Sequence, residues 1–200
     1  MERTPTRSAL LEARDERKVM GEGYRFLDEK RLLLASEIVR LSNRYQMLSQ
    51  TFLAQHGQAV ADLEQAVARH GFHGVQLIPV REHSDAHLER SDRLFFGVSM
   101  TELVQWHPGE GETSRVPVRP SPEARSCQQS FTALLALVAE LAALSGNLHR
   151  LLAEYQRTER RARALEDVIL PELDEGIHEM DIRLEEMEQE EAVRVRLRGR

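Results

Sequence analysis

"MGEGYRFLDEKRLLLASEIVRLSNRYQMLSQTF", residues 20–52, carries apolar side chains at a spacing that alternates four and three. The series runs Met20, Tyr24, Leu27, then Leu34, Ile38, Leu41, Tyr45, Leu48 and Phe52, with Arg31 in the one gap. Leu27, Leu34, Leu41 and Leu48 fall seven apart, the repeat of a coiled-coil seam whose knobs need a facing helix. The surrounding stretch, from about Arg7 to Arg69, contains no proline. Fully helical, it would measure roughly 90 Å at 1.5 Å per residue, far longer than the helices of ordinary globular domains.

The same alternation returns late in the chain at Leu134, Leu137, Leu141, Leu144, Leu148, Leu151 and Tyr155. Thr158 and Ala162 continue it with smaller side chains. Leu165, Ile169, Leu173 and Ile177 are then each four apart, before Met180, Leu184 and Met187 resume the pattern. Repeated steps of four mark a stutter, which locally unwinds a left-handed supercoil. Pro171 lies inside this stutter, off the seam. A proline within a helix costs about 3 kcal/mol, whereas each buried seam side chain contributes roughly 1.5–3 kcal/mol. With more than a dozen such positions, the helix is predicted to bend at Pro171 rather than end.

Between the helices, about Gly71 to Ser126, lie five of the seven prolines. "VQLIPV" and "RLFFGVSM" have strand composition, "REHSDAHLERSD" between them reads as the turn, and "HPGEGETSRVPVRPSPEA" reads as loop. The predicted fold is therefore all-α: a long antiparallel two-helix coiled coil with a small irregular or β-hairpin lobe mid-chain. Residues 1–70 form the N-terminal shaft helix, 71–126 the lobe and 127–200 the C-terminal shaft helix.

Composition narrows the function classes. The net charge of −6 gives no reason to expect nucleic acid as a partner. Cys127 is the sole cysteine, so no internal disulfide can form and a reducing compartment is expected. The N-terminal residues lack the apolar core of a signal peptide, and no run of eighteen uninterrupted apolar residues occurs. A cytoplasmic protein without direct membrane insertion is the expectation. No "GxxxxGK[ST]" is present, and "GEGETS" lacks the lysine that would reach phosphates.

Three stretches at the two ends of the chain resemble the D subunits of the V-type and A-type rotary ATPases. "TPTR", residues 4–7, followed by Leu10 and Leu11, is similar to that family's Pro-Thr-Arg before paired leucines. "GYRFLDEKRLLL", residues 23–34, resembles its glycine, aromatic or basic residue, leucine and Asp-Lys-Arg element. "RRARALEDVILP", residues 160–171, resembles Arg-Arg-x-x-Ala-Leu-Glu, an aliphatic run and proline. Arg163 replaces the family's usual asparagine, and Asp167 stands where an aromatic is common.

The resemblance implies a central-stalk rotor that passes torque between nucleotide chemistry in the catalytic head and an ion-translocating membrane ring. Such a rotor is non-catalytic, needs no cofactor and holds no metal. Its implied partners are the catalytic and non-catalytic head subunits, the small F-type stalk protein, and a funnel-like subunit joining the shaft to the ring. It would be cytoplasmic and peripheral to the membrane within that complex. The positions the motifs mark for torque or partner contact are Arg7, Gly23, Tyr24, Leu27, Lys30, Arg31, Arg160, Arg161, Ala164, Leu165, Glu166 and Pro171. Pro171 is read as a fixed kink that makes the shaft asymmetric.

Other features carry weaker readings. Glu172–Glu191 holds ten acidic residues with Arg183 as its only base, followed by Arg194, Arg196, Arg198 and Arg200. This is either a solvated face ending in dipole-compatible arginines or a pattern that steers the tip among partner loops. Arg160 and Arg161 are surface residues, contacts to a neighbouring subunit, or one side of an ion pair near Lys30 and Arg31. His70, His73, His83 and His87 fit no standard zinc spacing. Trp106 and Phe95-Phe96 pack the lobe or meet a partner. A free-standing coiled-coil adaptor is the alternative function, for which the heptads alone would suffice. An enzyme with helical arms is disfavoured, since no nucleophile or acid–base pair stands out.

Overall fold

The heptads and the proline-free run build one helix, α1, from Arg7 to Gln76. A hairpin of β1 (His87–Phe95) and β2 (Val98–His107) follows. Helix α2 then spans Pro122–Ala164, a single π-helical turn Leu165–Ile169, and α3 Leu170–Arg198. The computed structural model describes residues 6–78, 86–107 and 121–198. Contacts divide the chain into two compact units: Met1–Ala35 with Glu154–Arg200, and Ser36–Ala153. The expected loop at 107–124 falls mostly outside the described residues.

In the first unit the seam residues are the ones withdrawn from water. Leu10, Ala13, Leu34, Thr158 and Ala162 are buried, while Met20, Tyr24, Leu27, Leu165, Leu173, Ile177, Met180 and Leu184 are half-buried. A lone helix pair can cover only one stripe of each partner, so partial burial is the rule along it. The small residues at 158 and 162, which continue the period weakly in sequence, are nearly inaccessible, at 2% and 1%.

The stutter takes a specific form. Across Leu165–Ile169 the helix widens into a π turn, with the Leu170 N–H donating to the Leu165 carbonyl. Successive steps of four drift around an α-helix, and a turn holding one extra residue resets them. The wider turn also sits immediately before Pro171, which has no N–H and whose ring would crowd the carbonyl of residue 167. The helix thus runs on through Pro171 as α3, and the unwinding is confined to that one turn. Ile169, a predicted seam residue, is carried outward by it and is 36% exposed.

In the second unit, α1 from Ser36 onward pairs with the hairpin and the first part of α2. Leu41, Ala59, Ala66, Val98, Met100, Leu134, Leu144 and Leu151 are buried. Ser121 caps α2: its hydroxyl accepts the Ala124 N–H at 3.1 Å, with Pro122 at the first helical position. Near its C-terminal end α1 contains one non-helical residue, Gly71 (φ 72°, ψ 162°), a conformation that side-chain-bearing residues avoid.

The hairpin is present, but its strands are not the predicted ones. Val75 and Gln76 of "VQLIPV" end α1, and the second predicted strand, "RLFFGVSM", contains the turn itself. Phe96 and Gly97 both have positive φ (47° and 86°), as a two-residue turn matching strand twist requires. "HLERSD", expected as turn, is strand β1, exposed along its first eight residues. Opposite it, β2 turns Val98 and Met100 into the unit's core. The register shifts at Ser91/Asp92, where Leu103 and Thr101 are the partners and Glu102 is the bulged residue.

Within Pro122–Arg198, one 18-residue window has a mean hydropathy of 1.7, long and apolar enough to cross a bilayer by length and composition alone. The strict count of uninterrupted apolar residues passes over this stretch. It includes "SFTALLALVAELAALSGNL", residues 130–148, in which Phe131, Leu135 and Val138 are exposed.

Candidate functional site

The first unit gathers the marked residues of both chain ends onto facing helices. α1 supplies cations and the opposing helix supplies carboxylates. Arg7 donates to Glu188 (Nη2–Oε1 2.6 Å), Arg14 to both oxygens of Asp181 (2.8 and 3.0 Å), and Arg17 bidentately to Asp174 (2.8 and 3.2 Å). Further along, Lys30 Nζ meets Glu154 at 2.6 Å and Arg31 meets Glu159 at 2.9 Å. As the α1 number rises, the partner's broadly falls, which is the signature of antiparallel pairing within one chain.

Asp174, Asp181 and Glu188 are seven residues apart. They form one line beside the seam, the place where charged residues of a coiled coil select partner and register. The acid-rich segment is therefore not uniformly solvated: one heptad line is strapped to α1. Isolated exposed pairs contribute little to stability, and their effect here is to oppose the parallel and shifted alignments. Lys30–Glu154 is the most enclosed of the ladder's pairs, with side chains 15% and 19% exposed.

The electrostatics follow from these contacts. Hydrogen bonds from Arg17 hold the Asp174 carboxyl below its ordinary pKa, and Arg31 does the same for Glu159, which Arg163 also contacts. A hydrogen bond to Glu166 pushes the Tyr24 phenol upward, so the two motif residues from opposite ends of the sequence meet directly. Arg31 also holds Asp28 on its own helix.

The marked residues separate into two groups. Arg7, Tyr24, Lys30, Arg31 and Glu166 are joined across the pair, and Leu27 and Leu165 lie half-buried along it. Arg160, Arg161, Ala164 and Pro171 are exposed. Among the described residues Arg160 and Arg161 have no ion-pair partner; Glu159 and Arg163 occupy the positions an ion pair there would use. Gly23 is helical with open space where a Cβ would stand, so packing within this chain does not demand glycine.

The second unit has its own polar nodes, which the sequence did not single out. Asp62, 7% exposed, accepts from Gln58 (3.0 Å), Ser126 (3.2 Å) and Ser130, and these bonds lower its pKa. Asn147, 2% exposed, grips β2 by both ends of its amide: Oδ1 accepts the Thr101 N–H at 2.9 Å and Nδ2 donates to the Thr101 carbonyl at 2.7 Å. Arg44–Glu140 and Arg69–Glu123 again link the two helices in antiparallel order. A cleft of 690 Å³ lies among Glu37, Arg44, Arg93, Met100, Glu140 and Asn147. Its acids and bases are paired with one another, as in Glu37–Arg40 at 2.6 Å, which holds the Glu37 carboxyl low.

Of the histidines, His70 contacts the Ser121 hydroxyl at 2.7 Å, and His87 lies opposite His107 in the hairpin. His83 lies outside the described residues. Phe95 is half-buried and meets exposed Phe96 edge-on at 5.0 Å, while Trp106 is half-buried on β2.

Comparison with known proteins agrees with this architecture over nearly its whole length. The family model for the D subunit of ATP synthase matches residues 9–198. The V-type ATP synthase D subunit of Anaeromyxobacter dehalogenans is 31% identical over 196 residues, covering 96% of this chain and 92% of the relative. That of Thermotoga neapolitana is 27% identical over 196 residues, covering 96% and 94%. The A-type ATP synthase D subunit of Methanosphaera stadtmanae is 28% identical over 188 residues, covering 93% and 88%. A match running through both helices and the hairpin between them places this chain in the family of ATP synthase D subunits.

Proposed function

We propose that this chain is the central-stalk rotor of a V/A-type ATPase, carrying torque between the catalytic head and the ion-translocating membrane ring. It is non-catalytic and works without a cofactor. Its partners are the catalytic and non-catalytic head subunits, the small F-type stalk protein, and the funnel-like subunit that joins the stalk to the ring. It sits on the cytoplasmic side, peripheral to the membrane.

The observation that carries this reading is the cross-strapped helix pair of the first unit. A shaft must resist relative sliding and twisting of its helices, and flanking ion pairs at heptad spacing oppose both. The π turn at Leu165–Ile169 makes one side of the pair unlike the other, so each angular position offers neighbours a different face. Arg160 and Arg161 are exposed and unused by the chain's own packing, which leaves them available to a surrounding subunit.

The test is a reconstituted head assembled with an Arg160→Ala/Arg161→Ala chain. Helical content and thermal stability stay unchanged, and coupled ATP turnover falls several-fold. Unchanged turnover in an assembled complex, or failure of the wild-type chain to co-purify with head subunits, contradicts the proposal.

A further inference from the structure

β1 and β2 open at their free ends with a histidine on each. His87 begins β1, His107 ends β2, and the two are register partners. Their rings stack with centroids 4.9 Å apart and planes inclined by 20°. Directly opposite side chains on an antiparallel pair bring their Cβ atoms within about 5 Å. That separation lets two imidazoles share one ion at metal–nitrogen distances near 2.0–2.1 Å after a small tilt of the rings.

Glu89 adds the second observation. It lies two residues along β1 on the same face, and its Oε2 is 3.2 Å from His107 Nε2. A carboxylate on one ring nitrogen keeps the proton there and leaves the other nitrogen's lone pair free, the arrangement found behind many metal-bound histidines. The core does not ask for this pairing, because β1 is exposed at His87 and at Glu89. Among the described residues no three acidic, cysteine or histidine side chains are grouped to hold a metal. The site is accordingly a two-histidine one, completed by water.

We propose that His87 and His107 bind a divalent transition metal ion, zinc or copper in type, with Glu89 as a positioning residue for His107. Imidazole pairs suit these ions and not magnesium or calcium, which prefer oxygen. Both rings must be neutral to bind, so protonation below about pH 6.5 releases the ion. The bound metal ties together the ends of the hairpin, independently of any role in a rotor.

The test titrates the full chain with zinc chloride by calorimetry at pH 7.5, alongside His87→Ala, His107→Ala, Glu89→Ala and, as a control, His149→Ala on α2. The wild type and the His149 variant are expected to bind one ion per chain with equal affinity. Either of the other histidine substitutions abolishes that binding, and Glu89→Ala weakens it roughly tenfold or more. Circular dichroism of each variant confirms that the helices remain. No saturable binding by the wild type overturns the proposal, and so does binding that survives both His87→Ala and His107→Ala.

Discussion

Leu32 and Leu34 are the same residue type two positions apart on α1, yet Leu34 is fully buried and Leu32 is 62% exposed. Replacing each by alanine removes the same three carbons from opposite sides of the helix. At about 0.8 kcal/mol per buried methylene, Leu34→Ala loses roughly 2.4 kcal/mol of transfer free energy. Residual cavity terms can raise such losses to about 5 kcal/mol in deep cores, but a helix pair has no third layer to hold a void open. The expected loss is therefore about 2–3 kcal/mol. With a urea m-value of about 2 kcal/mol/M, the unfolding midpoint falls by about 1–1.5 M. Leu32→Ala shifts it by less than about 0.3 M, since exposed substitutions stay within about 0.5 kcal/mol and alanine favours helix. Urea titration followed by circular dichroism at 222 nm measures both. Equal midpoints for the two variants, or a larger drop for Leu32→Ala, would refute the assignment of the seam.

Acid should loosen the first unit. Asp174 and Glu159 have folded pKa values below their ordinary 3.8 and 4.5, so their contribution is present above those values and is lost as pH falls through the lower folded ones. Thermal stability is expected to decline below about pH 4.5, with a shallower decline in Asp174→Asn; identical slopes would contradict the linkage. Asn147→Ala removes both amide bonds to Thr101 and leaves that strand's N–H and carbonyl buried without their partner, a loss of about 2 kcal/mol. Hydrogen exchange at the β2 amides, faster by tenfold or more in the variant, is the readout. Ala162→Leu overfills a seam position that is 1% exposed and should destabilise by about 1–3 kcal/mol in urea unfolding.

What the sequence discloses here is what its periods encode. The alternation of three and four fixes the two helices, and Leu34, Leu41, Leu134, Leu144 and Leu151 are buried where it places them. The steps of four at 165–177 announce the stutter, although only the backbone shows it as a π turn that leaves Ile169 outside. The hairpin turn is harder to read, because Phe96 is an unusual residue at positive φ and Gly97 beside it is the single local signal. The ion-pair ladder is half visible: Asp174, Asp181 and Glu188 are seven apart, but in a segment with ten acids nothing marks them until α1 is set alongside. Asn147 has no signal at all, since its partner is the backbone of a strand 46 residues away.

The pairing of Arg14 with Asp181 within one chain bears most directly on the account. In a Cys127→Ser background, cysteines placed at 14 and 181 and treated with a short bis-maleimide should link within the monomer at micromolar protein concentration. The product migrates as one chain on a denaturing gel and yields a single cross-linked peptide pair by mass spectrometry. Linkage that appears only between chains, falling on dilution and giving a band of twice the mass, would contradict the folded-back helix pair.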